Sequence, residues 1–163
     1  PPEAFLRQTS SQMDENPQAD SYMTAVTSQR FSALGSEQFR LSSPRIEFFQ
    51  GESTVDIEQP RFIAKGDARH PIRLTANNGQ LDNANGRLDL NNNVRAEITS
   101  DGGPAQLTTE QLSYLIDSSV ATTDQPFNLH SVQGKASGTG LKVDLVKETF
   151  AIQSKVRVTH DPR

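Results

Sequence analysis

Three histidines, His70, His130 and His160, are the side chains best suited to proton transfer near neutral pH, and about 30 or more residues separate each from the next. No carboxylates stand beside them at ligand spacing, so the sequence predicts no metal site. Ser131 follows His130 directly, but neighbours on a strand point to opposite faces, which rules out a nucleophile and base at that spacing. Asp and Glu are scattered singly, leaving no acid and base pair to assign. The glycine-rich run Gly134-Lys-Ala-Ser-Gly138-Thr-Gly140 lacks both the lysine of a phosphate loop and a following helical pattern, and reads as a strand entry. With no cysteine in the chain, thiol catalysis and disulfides are excluded. The reading is therefore of a protein without catalytic residues, metal or cofactor. One basic stretch, Lys65-Gly-Asp-Ala-Arg69-His-Pro-Ile-Arg73, could meet an anionic head group or simply be solvated.

The elements that would position any binding surface follow from composition and period. Across 163 residues only 33% are hydrophobic, so the core must be thin. A balance of 16 basic and 20 acidic residues, net charge −4, argues against a nucleic-acid partner. The longest apolar runs, such as Phe62-Ile63-Ala64 and Tyr114-Leu115-Ile116, are far shorter than the ~18 residues of a membrane span. Residues 1–21 are rich in Pro, Ser, Gln and Asn and read as a flexible tether with one short helical turn around Glu3–Gln8. The opening Pro1-Pro2, in place of Met, predicts an upstream segment.

From Tyr22 the apolar period is two, with turn signals at Leu34-Gly35, Gln50–Ser53, Asn83–Gly86, Asp101–Pro104 and Asp117–Ser119, which predicts about ten strands and an all-β fold. Leu41, Leu74 and Leu107 lie 33 residues apart, each opening a strand of a hairpin. In each unit the apolar parity then slips by an odd step: Leu41 to Ile46, Leu74 to Leu81, Leu107 to Leu112. An extra residue, a bulge, is expected there. Second strands are of two kinds. Val55, Ile57 and Phe62 slip at Gln59-Pro60, and Val120, Thr122 and Phe127 slip at Gln125-Pro126. Leu88, Leu90, Val94, Ala96, Ile98 and Phe150, Ile152, Val156, Val158 alternate cleanly. Phe48, Phe62, Tyr114, Phe127 and Phe150 should face inward. Consecutive antiparallel hairpins with one apolar face each predict an open, twisted β-jelly roll, with a closed barrel and a parallel β-helix as rivals.

Several segments taken in order carry a resemblance: Tyr22–Leu41, Gln59-Pro60, Leu74-Thr-Ala-Asn-Asn-Gly-Gln-Leu81, Leu88-Asp-Leu-Asn-Asn-Asn-Val94, Leu107-Thr-Thr-Glu-Gln-Leu-Ser-Tyr114, Thr123-Asp-Gln-Pro-Phe127 and Gly138-Thr-Gly-Leu-Lys-Val-Asp144. Together, over residues 22–158, they resemble the LptC family of lipopolysaccharide export proteins, within the OstA-like group that includes the bridge protein LptA. The resemblance implies a β-jelly-roll domain at 22–160 in the periplasm of a Gram-negative bacterium. It further implies a single-pass inner-membrane anchor by an N-terminal helix that this sequence lacks. The implied role is to take lipopolysaccharide from the transporter formed by LptB, LptF and LptG and pass it to LptA. By alignment, Val26, Ile57 and Ile152 fall on positions lining an acyl-chain groove, and Gly35 and Gly134 on glycines used in assembly. The last strand, with Phe150, Ile152, Val156 and Val158 on one face, is the expected docking edge for LptA. The other reading left open by the residues is a structural or adhesive β-repeat protein that pairs through sheet edges and binds no lipid.

Overall fold

The computed structural model describes residues 21–160, with side chains from 21 to 153. The tether and the helical turn expected within residues 1–21 lie outside this range, except that Ser21 opens the first strand. Eleven strands follow in chain order: β1 Ser21–Phe31, β2 Glu37–Phe48, β3 Thr54–Glu58, β4 Arg61–Ala64, β5 Ile72–Thr75, β6 Asn78–Asp82, β7 Arg87–Ser100, β8 Gly103–Leu115, β9 Val120–Ser131, β10 Gly134–Asp144 and β11 Thr149–His160. All pairings are antiparallel. β3 with β4, and β5 with β6, each form one interrupted rung, so a single sheet of nine rungs runs from β1 to β11 in sequence order. This is the expected series of hairpins.

Each rung changes which residue parity it buries near its middle, and that folds the sheet on itself into two leaves. Leaf 1 contains β3, β6 and the parts of the longer strands paired to them. Leaf 2 contains β4, β5 and the remaining parts. On β2 the buried row passes from Leu41 and Ser43 to Ile46, and on β8 from Leu107 and Thr109 to Leu112 and Tyr114. Across β5 and β6 it passes from Leu74 and Ala76 to Leu81. The parity slips lie where expected, but the expected bulges are corrected: β2 and β5–β6 keep one register with β3–β4, and the register shifts put the extra residue on β7, where Asn92 and Asn93 oppose Glu110, and on β9 and β11. Residues with left-handed backbone mark the same line: Ala25 at φ 52°, Gln59 at 45°, Asn92 at 68°, Asn93 at 55° and Gly140 at 84°.

Backbone groups freed by the fold line are satisfied locally, as burial requires. The Gln59 N–H donates to the Asn77 carbonyl at 2.8 Å, and the Asn77 N–H to the Asn92 carbonyl at 2.9 Å. The buried Ser43 hydroxyl donates to the Glu58 carbonyl and accepts the Arg45 N–H. Thr109 Oγ1 donates to the Pro126 carbonyl at 2.9 Å, while Thr123 Oγ1 accepts the Gln125 N–H at 3.1 Å. Small hydroxyl residues at inward positions thus stitch the bend.

Two expectations about the second strands are corrected. On β9 the buried residues are Ala121 and Thr123, along with Val120, so the inward row keeps its parity up to Phe127. What shifts is the register with β8, between Thr109 and Ser113. On β7 the alternation of Leu88, Leu90, Val94, Ala96 and Ile98 is intact, all five being buried, yet the even step conceals Asn92 and Asn93 on the fold line.

The interior consists of rows that cross the rungs. In leaf 2 one row runs Ser28, Leu41, Phe62, Leu74, Ala96, Leu107, Leu129 and Ala136, each directly opposite the next. The 33-residue repeat of Leu41, Leu74 and Leu107 is this row sampled at every second rung. In leaf 1 a row runs Ser21, Phe48, Val55, Leu81, Leu88, Tyr114, Ala121, Val143 and Phe150. Cross-strand neighbours in such rows are the unit of sheet stabilisation. The leaves meet through the Phe62 and Tyr114 rings, 5.6 Å apart and edge-on, with Phe39 stacked on Phe62 at 5.2 Å.

Leu90 has no solvent exposure, and the neighbouring Asn91 faces out. Leu90→Asp buries an unpaired carboxylate and is expected to cost several kcal/mol, whereas Asn91→Asp should change stability by about 0.5 kcal/mol or less. Thermal melts of the two variants check the register, and equal shifts would disprove it.

Candidate functional site

The molecule's distinctive feature is the packed apolar interior between the leaves, closed along one side by the fold line and along the other by a seam of turns. At the seam, Arg30 near the end of β1 binds Asp117 in the β8–β9 turn at 3.0 Å. Gly66, in the β4–β5 loop, lies against Ser119 of that same turn, so close that a Cβ on Gly66 would sit 2.8 Å from the Ser119 hydroxyl oxygen. Further along, the Asp101 N–H of the β7–β8 turn donates to Glu148 of the β10–β11 turn at 3.0 Å. Each contact joins leaf 2 to a part of leaf 1 several rungs later in the chain, an offset expected of a twisted sheet.

The offset leaves the ends uncovered. At the β1 end, Met23 lies directly opposite the buried Ile46 yet is 52% exposed, and Phe48 and Val55 are only half-buried. At the β11 end, Leu129 and Ile152 are half-buried, and Phe150, opposite the buried Val143, is at the exposed limit. The expectation that Phe150 packs inside is corrected to an inward residue on an uncovered rung. β1 and β11 are the two terminal rungs.

Sequence-selected residues fall on this frame as follows. Ile57 and Ile152 lie in one leaf: Met23, Ile46, Ile57, Gly79, Leu90 and Leu112 are successive opposite residues, and Thr123, Leu141 and Ile152 follow beyond the register shift. Ile57 is fully enclosed at 2% exposure, while Val26, opposite Ser43 beside the fold line, is half-buried. Gly35 stands in the β1–β2 turn at φ 90° with open space where a Cβ would lie, so its backbone conformation alone favours glycine. Gly134 begins β10 at φ 138°, in another turn of leaf 2. Val156 and Val158 belong to β11, but their side chains lie outside the described residues.

Sequence spacing missed one cluster. His70, Asp101 and Glu148, far apart in the chain, come together where three turns converge, their ligand-type atoms within 4.8 Å of one another. The expectation that no carboxylate stands near a histidine is therefore corrected. Asp101 is the hub: one oxygen lies 3.0 Å from His70 Nε2, the other 2.6 Å from Arg69 Nη1. Part of the basic stretch Lys65–Arg73 is thus engaged, holding the leaf 2 turn whose Asp101 N–H reaches Glu148 across the seam.

Comparison with known proteins accords with the frame. A profile described as lipopolysaccharide-assembly, LptC-related, matches residues 3–161. The chain belongs to the LptC-related family. The fold is similar to that of LptH from Pseudomonas aeruginosa, an LptA homologue and periplasmic component of the lipopolysaccharide transport device. That similarity has a TM-score of 0.62 at 8% identity, over 76% of this chain and 95% of LptH, and it establishes the open β-jelly roll. No curated protein matches by sequence. Membership of the LptC-related family gives this chain a role in lipopolysaccharide transport, and both the family and its fold are those of transport components.

Within this member of the LptC-related family the Asp101 cluster has a pH signature. The His70 hydrogen bond, followed by the positive charges of Arg69 and His70, holds the Asp101 carboxyl below its ordinary value of 3.8. A depressed carboxyl stabilises the fold fully above its ordinary value and loses that contribution as pH falls through the lowered one. Asp101→Asn should therefore lower the melting temperature modestly at neutral pH, with the difference vanishing in strong acid. A melting difference that persists unchanged in acid would show that Asp101 acts without its charge.

Proposed function

We propose that this chain receives the acyl chains of the lipid A part of lipopolysaccharide between its leaves. It relays the molecule from the LptB, LptF and LptG transporter to a periplasmic LptA-type bridge. The observation that carries this reading is the set of mainly apolar rows that cross the rungs and are only half-covered toward both ends of the sheet, at Val26, Phe48, Val55, Leu129 and Ile152. Acyl chains need an apolar trough whose backbone polar groups are already paired, and rows within a continuous sheet supply one.

The residues assigned to the trough are Val26, Ile57 and Ile152. Val26 and Ile152 already border the uncovered ends, whereas a lipid reaches Ile57 only when the leaves part. Parting them is cheap relative to breaking the sheet. The seam ion pair is exposed, with 46% and 76% accessibility at Arg30 and Asp117, and such a pair contributes about 0 to 1 kcal/mol.

Gly35 and Gly134 are assigned to assembly, since both shape leaf 2 turns at which a partner could seat. β11 is assigned as the docking edge for the bridge. Strand addition there would continue the trough through Phe150, Ile152, Val156 and Val158 into the partner. Residues 22–160 form the working domain and 1–21 the tether. No helix among the described residues is long and apolar enough to cross a membrane, and the inner-membrane anchor is assigned from the family resemblance alone. The unpaired terminal rungs also suit a second reading, in which the chain pairs edge to edge without a lipid.

Photoreactive residues separate the two. Placed at Ile57 or Ile152 they should crosslink lipopolysaccharide in cells, and placed at Asp56 or Gln153, on the outer face, they should not. Equal crosslinking at all four sites would remove the trough, and crosslinks to protein alone would favour the edge-pairing reading.

A further inference from the structure

In this apolar interior the Tyr114 and Ser119 hydroxyls, on residues at 0% and 1% exposure, have no hydrogen bond of full geometry and only each other nearby. Buried polar groups are almost always paired, and leaving one unpaired costs about 1 to 3 kcal/mol. Burial pushes the Tyr114 phenol up from its ordinary value, and a weak hydrogen bond with the Ser119 hydroxyl draws it partway back. The two hydroxyls are thus close together, and both are protonated donors at neutral pH.

Other features converge on the same spot. Ser119 holds a left-handed backbone, φ 59°, which a serine adopts only when its surroundings impose it. Its backbone is fully used: the N–H donates to the Leu115 carbonyl at 2.9 Å, and the carbonyl accepts the Leu145 N–H at 3.0 Å. The strained backbone therefore directs a hydroxyl inward that the turn itself does not need. Opposite lies Gly66, where any side chain would strike the Ser119 oxygen. Tyr114 meanwhile sits midway along a leaf 1 row with its ring against Phe62 of leaf 2, on the path an acyl chain would follow between the leaves.

We propose that Tyr114 and Ser119 form a polar subsite within the acyl trough, donating hydrogen bonds to the carbonyl of an ester or amide linkage in the bound amphiphile. This rests on the trough reading and deepens it. When the leaves part at the β8–β9 turn, these are interior donors available beside the seam. A linkage carbonyl seated there satisfies groups that the closed state leaves without a full hydrogen bond, so the closed state's penalty is relieved on binding. The subsite fixes how deep the chains enter, because the linkage stops at the hydroxyls while the hydrocarbon continues along the rows.

The test compares dimyristoyl phosphatidic acid with its dialkyl ether counterpart of equal chain length, each measured by displacement of a fluorescent fatty acid from the purified chain. Wild type should bind the ester about five- to tenfold more tightly. Tyr114→Phe and Ser119→Ala should bring the ester down to the ether's affinity and leave the ether unchanged. Tyr114→Phe should also melt no lower than wild type, because it deletes a poorly paired hydroxyl and keeps the ring. Equal binding of ester and ether by wild type would overturn the subsite and leave the trough standing. Failure of wild type to bind either amphiphile would overturn the trough and the subsite with it. A lower melting temperature for Tyr114→Phe, with no change in ester preference, would mean that the hydroxyls hold a buried water, and would also overturn the proposal.

Discussion

The structure depends on one constraint: a continuous antiparallel sheet with a single apolar face can bury that face only against itself. To do so every rung must bend at the same height. Parity slips on β2, β8 and across β5 and β6, the left-handed residues Ala25, Gln59, Asn92, Asn93 and Gly140, and prolines beside the breaks all lie on that line. A bend confined to one rung would misalign the inward residues of its neighbours, since a slip of one position turns a whole strand inside out. The fold line is thus cooperative across the molecule. Buried Ser43, Thr109 and Thr123 belong to it as much as the glycines do, because each replaces a backbone hydrogen bond that the bend removes.

Local signals of this architecture were legible in the sequence. The spacing of Leu41, Leu74 and Leu107 reports a row crossed at every second rung, and the odd steps after each report the fold line. Period two then places nearly every buried residue. What spacing could not show was the relation between leaves. Ile57 and Ile152 have inward parity, but parity does not say whether two inward residues face each other or share a leaf. That depends on the order of rungs. The even step from Leu90 to Val94 likewise hid two left-handed asparagines, since a displacement of two residues leaves parity untouched. His70, Asp101 and Glu148 meet only because twist brings distant turns together, and no sequence-local pattern encodes that.

Stability is distributed unevenly between the two sides of the interior. Along the fold line and through the sheet, each rung is tied to its neighbours by main-chain hydrogen bonds and by the buried rows. Across the seam the ties are an exposed ion pair and turn contacts: Arg30 with Asp117, Gly66 against Ser119, and the Asp101 N–H with Glu148. Exposed pairs contribute little, and salt screens them further. The opening proposed above would break these weak ties and turn about the fold line with the sheet intact, its main cost being the apolar contacts between the leaves.

The packed interior is consistent with transport. An empty apolar trough in water would expose its rows continuously and invite association through them. Closing the leaves on each other hides the rows, and the apolar row residues left most exposed among those described, Met23 and Phe150, lie on the terminal rungs. Under the proposed function, ligand entry would exchange contacts between leaves for contacts with hydrocarbon, which are similar in kind, so the exchange would be close to neutral. A near-neutral exchange suits a relay, in which a carrier that bound too tightly would not release. Within that balance two poorly paired buried hydroxyls have an outsized effect. They raise the energy of the closed state and lower that of the occupied one, which sets the direction of the exchange without requiring a large apolar affinity.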